Sequence, residues 1–208
     1  MSSEVAPVIA FLGAGNMASA MISGLIAEGI SPSQLRASDP SEAALSRLEA
    51  MGLSQLSTSP DKLFEDADLG VAAVKPQVIP AALTAIRDQL GPRIALLSIA
   101  AGIPISSLQS QLGEDVVIIR CMPNTPALVG EGMTGLYASR DAGSAEGKAL
   151  AERVMSSVGQ CVWVENESDL DVITAISGSG PAYFFLFIES LTDAAIALGM
   201  NGESALKL

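Results

Sequence analysis

Histidine is absent from this chain of 208 residues. Imidazole is the side chain that most often transfers protons near neutral pH and most often binds metals, so any chemistry here proceeds without it. We predict no metal site. The only two cysteines, Cys121 and Cys161, lie far apart and outside any C-x-x-C pattern. They are expected to be ordinary core thiols rather than members of a zinc site or a disulfide framework.

Basic residues are also scarce. Eleven Lys and Arg stand against 23 Asp and Glu, which gives a formal net charge of −12. This balance repels nucleic-acid backbones and argues against nucleic acid as a partner. Any phosphate-binding site must therefore be local. The hydrophobic fraction of 49% with only 4% aromatic residues is a globular composition built on aliphatic side chains.

Targeting signals are not found either. The first residues, "MSSEVAP", include Glu4 and no basic cluster ahead of an apolar core, so they do not resemble a signal peptide. The longest uncharged stretch near the end, residues 172–188, contains "SGSGP", which we expect to break a membrane helix. We therefore expect a cytoplasmic chain without membrane contact.

Short apolar runs alternate with helical patterns along the first 121 residues. We predict strands over 8–12, 35–40, 55–57, 69–74, 94–99 and 116–121, and helices over 16–28, 41–51, 77–90 and 105–112. The strands are apolar without alternation, which implies cover on both faces. The predicted fold is α/β: a Rossmann-like, doubly wound, mainly parallel sheet.

The pattern changes after the sixth strand. Residues 135–139 and 161–164 are expected to add edge strands around a helix over 143–158, and everything beyond Asp169 is predicted to be helical. The polar stretch "ENESD" marks a boundary near Glu165. We thus predict a dinucleotide-binding domain over 1–165 and a helical unit over 166–208.

Two glycines lie between the first predicted strand and the first predicted helix. The pattern Gly13-x-Gly15-x-x-Ala18 permits a tight turn and lets a diphosphate approach the backbone at the helix N-terminus. Glycines at such turns are also common for steric reasons alone. The strand–turn–helix setting favours a dinucleotide site.

The end of the second strand allows two interpretations. Asp39 follows Gly15 at roughly the 20-residue separation at which an acidic residue binds the ribose of NAD. Alternatively, Ser38 donates to a 2′-phosphate while Asp39 caps the following helix.

Three further stretches follow predicted strands. Lys75 directly follows a buried strand. Its side chain either lies beside a bound coenzyme or forms a surface salt bridge. Ala100 and Ala101 permit flat contact with a ring, or simply pack. Asn124 and Thr125 lie between two prolines in a rigid polar loop that could form a substrate wall.

Together these segments resemble one family. "FLGAGNMA", "AVKPQ", "SIAAGI", "RCMPNTPALVGEG" and "AISGSGPAYFF" occur in the order and spacing of the pyrroline-5-carboxylate reductases. The resemblance implies NAD(P)H-dependent reduction of the cyclic imine 1-pyrroline-5-carboxylate to L-proline, the last step of proline biosynthesis. Hydride transfer to a C=N carbon requires no histidine, because the nitrogen can take its proton from water or a hydroxyl group. No catalytic residue is assigned.

The resemblance also implies coenzyme contacts, with NADPH preferred and NADH as the alternative. The implied contact residues are Leu12, Gly13, Ala14, Gly15, Asn16, Met17, Ser38, Ala73, Val74, Lys75, Pro76, Ile99, Ala100 and Ala101. An asparagine that holds the adenosine end in relatives is replaced within "LSTSPDK", so the sequence leaves the choice of coenzyme open.

The substrate carboxylate needs donors. Ser177, Gly178, Ser179 and Gly180 offer hydroxyls and backbone amides ahead of a helix predicted to begin at Pro181. The alternative is that the two glycines only let helices pack or bend.

The chain ends at Leu208, whereas relatives continue through a helical domain that builds the dimer interface. We therefore expect residues 166–208 to be the start of that domain in a truncated chain. The apolar run 183–188 predicts a helix buried on several sides by a second subunit, in a homodimer or larger homo-oligomer.

Two other functions fit the same sequence. A β-hydroxyacid dehydrogenase-like reductase would share the fold but would usually need a lysine on the long helix, and 181–198 contains none. A non-enzymatic nucleotide-binding module would keep Gly13 and Gly15 without turnover.

Overall fold

The computed structural model describes residues 6–91, 94–139 and 145–208. Within these ranges the strands are β1 (Ile9–Leu12), β2 (Leu35–Ser38), β3 (Gln55–Ser57), β4 (Leu69–Ala72), β5 (Ala95–Ser98), β6 (Val117–Met122), β7 (Gly132–Ala138) and β8 (Gly159–Trp163). The helices are α1 (Asn16–Ala27), α2 (Glu42–Glu49), α3 (Ile79–Ile86), α4 (Ile105–Leu112), α5 (Ala145–Ser156), α6 (Asp169–Ile173), α7 (Gly180–Ala197) and α8 (Gly202–Lys207).

The eight strands form one sheet in the order β3-β2-β1-β4-β5-β6-β7-β8. The first six pair in parallel, with Leu12 opposite both Ser38 and Ala72. The chain winds outward from β1 to β3 and then returns to place β4 on the other side of β1. The end of β1 is therefore the switch point, where open α/β sheets bind ligands.

Helices and loops cover both faces of the sheet. One core includes Met21, Ile22 and Leu25 of α1 with residues of α2 and α5, and the other includes residues of α3 and α4. Continuous apolar strands such as β1 and β4 follow from this double cover, since neither face meets water. The predicted Rossmann-like class is confirmed.

Local signals place the early elements well. Ser41 caps α2 as predicted, because its hydroxyl accepts a hydrogen bond from the Ala44 amide at 3.3 Å. The predicted helix over 77–90 is shorter: α3 spans Ile79–Ile86 between two 3-10 turns, Pro76–Val78 and Arg87–Gln89. Pro80 in its first turn is consistent with this late start.

The expectation of two edge strands is half wrong. β7 lies inside the sheet, antiparallel to β6 and parallel to β8. Of these two strands, β8 is the one at an edge of the described sheet. Strand pairing is a tertiary choice that local composition does not encode. The predicted helix over 143–158 begins outside the described residues, and α5 starts at Ala145.

The "SGSGP" segment does not break the helix, contrary to expectation. Residues Thr174–Gly178 form a π-helical turn, called here the π-turn, that joins α6 to α7. Pro181 is tolerated because it lies in the first turn of α7. Glycines here permit a local widening of the helix rather than its end.

Because the helix continues, one described stretch, Asp169–Ala197, has the length and mean hydropathy, 1.3, of a membrane-crossing helix. Only its length and composition resemble those of a membrane span, and core helices of soluble proteins share both features. The most apolar part of this stretch has no residue buried inside the described structure. This stretch needs a covering partner of some kind.

Candidate functional site

Parallel strands bring the predicted site segments to one side of the sheet. The carboxyl ends of β1, β2, β4, β5 and β6 meet there, and this side is called the carboxyl edge. The edge is continuous between neighbours: the Ala73 amide donates to the Leu12 carbonyl at 2.8 Å, and the Ile99 amide to the Ala72 carbonyl at 3.2 Å.

Gly13 and Gly15 differ in what surrounds them. Gly13 has a φ of +105°, and a Cβ there would lie 2.6 Å from the Ala73 carbonyl oxygen. Gly15 is exposed, and a Cβ there would meet nothing within 4 Å. Gly13 is therefore required by the fold, whereas Gly15 leaves open space in front of a helix end.

The open space at Gly15 suits a diphosphate. Gly15 is the N-cap of α1, and no side chain caps this helix. The first amides of an α-helix have no intrahelical acceptor and carry the positive end of the helix dipole. The residues present thus fit a dinucleotide, which would be held by backbone amides of 15–17 without a basic side chain.

The peptide of Ala14 is held from two sides. Its amide donates to Asp39 Oδ2 at 2.8 Å, and Nη2 of Arg47 donates to its carbonyl at 3.3 Å. Asp39 Oδ1 also accepts from the Ser41 amide at 2.8 Å. Asp39 thus braces both the glycine turn and the residue ahead of α2. The cap of α2 itself is Ser41, not Asp39. Ser38 is only 3% exposed, and its carbonyl accepts from the Gly13 amide.

The floor beside the turn is formed by the ends of β4 and β5. Lys75 and Ala101 are exposed, and Ala73, Val74 and Ile99 are half-buried. Within the described residues no carboxylate lies within 4.0 Å of the Lys75 ammonium. The salt-bridge alternative for Lys75 thus has no partner in this part of the chain.

Besides Ser38, three predicted contact residues have buried side chains. Leu12 and Ala100 are 5% and 3% exposed, and Ala14 is fully buried. A ligand at this edge would reach these residues through their backbone.

Asn124 joins the end of β6 to the helical unit. Its Nδ2 donates to the Ser177 carbonyl at 3.0 Å, and its Oδ1 accepts from the Met133 amide at 2.9 Å. The side chain is buried, whereas neighbouring Thr125 is exposed. Asn124 therefore positions the π-turn, whereas the Thr125 side chain is left exposed to solvent or a ligand.

Hydrogen bonds within the helix occupy polar groups of the π-turn and of Ser179, which follows it. The Ser177 hydroxyl donates to the Ile173 carbonyl at 3.2 Å, and the Ser179 amide donates to the Thr174 carbonyl at 2.8 Å. The free helix N-terminus predicted at Pro181 is not present, because the helix enters this region from α6. The Ser179 hydroxyl remains a candidate donor.

Sequence reasoning missed a partly buried ion pair at the junction between the sheet and the helices that follow it. Nη1 of Arg120 lies 2.6 Å from Glu167 Oε1, which also accepts from the Ile105 amide at the start of α4 at 2.7 Å. An arginine inside a buried strand requires a partner, and that requirement was the available signal. The pair attaches the chain ahead of α6 to the sheet.

The two thiols are free. Burial raises the pKa of the Cys121 thiol far above its ordinary value, with a smaller effect of Cys161 in the same direction. Burial also raises the pKa of Cys161. Neither thiol is set up as a nucleophile. No cluster of three or more potential metal ligands occurs among the described residues.

A broad groove lies at the opposite, amino-terminal side of the strands, lined by residues such as Pro7, Ala67 and Arg153. It is distant in the sheet from the glycine turn and contains none of the predicted site residues. The carboxyl edge is the better candidate because the switch point, open helix end and predicted motifs coincide there.

Comparison with known proteins gives concordant matches. Residues 8–102 match the family model described as NADP oxidoreductase, coenzyme F420-dependent. Residues 167–208 match the model of pyrroline-5-carboxylate reductase dimerisation.

Among curated proteins, pyrroline-5-carboxylate reductase of Pseudomonas aeruginosa is 43% identical over 202 residues, covering 97% of this chain and 74% of that protein. Among solved structures, the pyrroline-5-carboxylate reductase of Coxiella burnetii has a TM-score of 0.89 at 36% identity, covering 97% of this chain and 74% of that one. The Plasmodium falciparum enzyme, solved with NADP bound, has a TM-score of 0.84 at 33% identity, covering 97% and 73%.

The fold and the glycine turn at its switch point define a dinucleotide-binding protein, and the matched family model and relatives place it among the NAD(P)H-dependent oxidoreductases. The identities and their coverage then specify it further. This chain belongs to the pyrroline-5-carboxylate reductase family.

Proposed function

We propose that this chain performs the reaction of its family at the carboxyl edge: reduction of 1-pyrroline-5-carboxylate to L-proline with NAD(P)H. The observation that carries this proposal is the open, uncapped N-terminus of α1 at the switch point, beside the ends of β4 and β5. The proposed coenzyme-binding residues are Leu12, Gly13, Ala14, Gly15, Asn16, Met17, Ser38, Ala73, Val74, Lys75, Pro76, Ile99, Ala100 and Ala101.

The bound coenzyme supplies a hydride to the C=N carbon. The protein's task is to align that carbon with the coenzyme, to hold the two molecules in the reactive orientation and to stabilise their charges. The backbone amides of Gly15 and the first turn of α1 would hold the diphosphate. The exposed Lys75, which has no carboxylate within 4.0 Å among the described residues, would add positive charge at the same edge. The imine nitrogen takes its proton from water or a hydroxyl group, so the absence of histidine is no obstacle.

The substrate side is proposed to lie between the loop after β6 and the π-turn. Thr125 presents an exposed hydroxyl, and the Ser177–Gly180 segment is held near that loop by Asn124. Thr125 and Ser179 are proposed to approach a carboxylate through their hydroxyl groups, since the Ser177 hydroxyl and the Ser179 amide donate to helical carbonyls. Asn124 contributes by positioning, and Gly178 allows the close approach of Met122.

We propose two units, 1–165 and 166–208, with the second forming a homodimer or larger homo-oligomer. The apolar α7 has no buried residue within the chain. It carries Glu189 and Asp193, charges that are costly in a lipid interior. A second subunit covers this surface better than a bilayer does, which agrees with a cytoplasmic, membrane-free protein.

The reaction is tested by mixing the purified chain with NADPH and 1-pyrroline-5-carboxylate and following oxidation of the coenzyme and formation of proline. A panel of 2-hydroxy acids with NADP is the control. Proline formation without turnover of the panel supports the proposal. Turnover of a 2-hydroxy acid alone indicates a hydroxyacid dehydrogenase, and coenzyme binding without any turnover indicates a nucleotide-binding module.

The substrate contacts are tested separately. Ser179→Ala is expected to raise the KM for 1-pyrroline-5-carboxylate, while the KM for NADPH stays unchanged. A smaller rise is expected in Ser177→Ala, because the Ser177 hydroxyl donates to the Ile173 carbonyl. An unchanged substrate KM in both variants contradicts the assignment.

A further inference from the structure

The choice between NADPH and NADH is made where the adenosine ribose binds, beyond the end of β2. Three side chains lie at this point. Ser38 is 3% exposed, so its hydroxyl has little access to a ligand. The Asp39 carboxylate accepts hydrogen bonds from the amides of Ala14 and Ser41. Arg47 reaches the same turn from α2 and is exposed.

The guanidinium of Arg47 has most of its donors free. Its one hydrogen bond in the described structure goes to the Ala14 carbonyl at 3.3 Å, out of five N–H donors that an arginine carries. The residues three and four positions away along the chain are Ala43, Ala44, Ala50 and Met51, none of which is charged. Within the described ranges no carboxylate lies within 4.0 Å of its nitrogens.

An exposed arginine held by a backbone carbonyl and lacking an acidic partner is suited to a phosphate. Guanidinium groups bind phosphate through two parallel, charge-assisted hydrogen bonds. The net charge of −12 disfavours an added dianion, and a cation at this turn offsets that effect locally. Asp39 adds a negative charge at the same turn, which disfavours a 2′-phosphate and suits a ribose hydroxyl.

We propose that Arg47 binds the 2′-phosphate of NADPH and that it, rather than Ser38, sets the preference of this chain for NADPH over NADH. The inference rests on the proposed function for its kinetic consequence. Arg47 and Asp39 act in opposite directions: the arginine favours the phosphorylated coenzyme, and the aspartate favours the unphosphorylated one.

The kinetic test compares Arg47→Ala with the wild type at saturating 1-pyrroline-5-carboxylate. We expect kcat/KM for NADPH to fall about 10- to 100-fold, and kcat/KM for NADH to change by less than about threefold. Arg47→Lys should recover part of the loss, because a lysine keeps the charge but not the paired geometry. Arg153→Ala is the matched control, since it removes the same charge from an exposed site on α5, beside the groove at the amino-terminal ends of the strands.

A binding test is independent of turnover. Calorimetry with adenosine 2′,5′-bisphosphate and with adenosine 5′-monophosphate compares two probes that differ only in the 2′-phosphate. The proposal requires that Arg47→Ala weakens the bisphosphate alone. Equal weakening of both probes, or equal loss with both coenzymes, overturns it and assigns Arg47 to shaping the glycine turn. If the wild type fails to reduce the imine, the proposed function fails, while the calorimetry still decides the role of Arg47.

Discussion

At the scale of single residues, two glycines in one short turn have different physical roles. Gly13 has a backbone conformation that disfavours a Cβ, and it faces the Ala73 carbonyl. Gly15 has a φ of −70° that any residue adopts, and open space lies in front of it. A sequence pattern treats the two positions alike, but only one of them is required by the fold.

Substitution by alanine separates these roles. Gly13→Ala is expected to destabilise the fold by about 2–4 kcal/mol, from the left-handed strain plus the contact with Ala73. Gly15→Ala should leave the melting temperature nearly unchanged but raise the KM for NADPH about tenfold or more, because the methyl group occupies the diphosphate space. Thermal unfolding and coenzyme titration of both variants check this. A Gly15→Ala protein with normal NADPH kinetics would place the diphosphate elsewhere.

Glu167 is the residue whose loss should cost the most at the junction. Glu167→Ala leaves the buried Arg120 guanidinium and the Ile105 amide without their carboxylate. Since Glu167 is partly exposed, we expect a loss of about 2–4 kcal/mol in the free energy of unfolding, measured by urea titration. The control is Glu165→Ala, which removes an exposed acid two residues earlier and should change stability by less than about 0.5 kcal/mol. Equal effects of the two would contradict the role of the pair.

At the scale of elements, the decisive feature is the π-turn between α6 and α7. It keeps the helix continuous while its position against the sheet is fixed by Asn124 and by the contact of Gly178 with Met122. Wider helical turns occur often at functional sites, because they shift the side chains that follow. The approach of α7 to the carboxyl edge therefore depends on a few contacts.

Asn124→Asp tests this dependence with little change of shape. The aspartate keeps an acceptor for the Met133 amide but loses the donor to the Ser177 carbonyl. We expect the KM for 1-pyrroline-5-carboxylate to rise about tenfold while the KM for NADPH changes by less than about twofold. Asn124→Ala loses both bonds and should also lower the melting temperature. If Asn124→Asp raises both KM values equally, Asn124 does not act through the π-turn.

At the scale of the whole molecule, the chain has a well-covered sheet and an uncovered helix. Tyr183, Phe184, Phe185 and Phe187 are all more than half exposed on α7. An apolar surface of this kind is typical of an interface.

Phe184→Glu is expected to shift the protein from dimer to monomer. A charge at an aromatic position that the proposed interface buries costs about 2 kcal/mol or more of association energy. Light scattering after gel filtration measures the mass. Asp193→Asn, a polar change on the same helix, should leave the dimer intact. A wild-type protein that stays monomeric in water, or that requires detergent, would contradict the proposed interface.

The sequence by itself determined the alternation of strands and helices, the glycine turn and the family, because these depend on local periodicity and on short motifs. Only the tertiary structure decided the pairing of β7, the continuity of the helix through the π-turn and the partners of Asp39, Arg47 and Glu167. These features join residues that are distant in the chain. Their energies arise from packing and hydrogen bonds across the sheet, which no local pattern of residue types specifies.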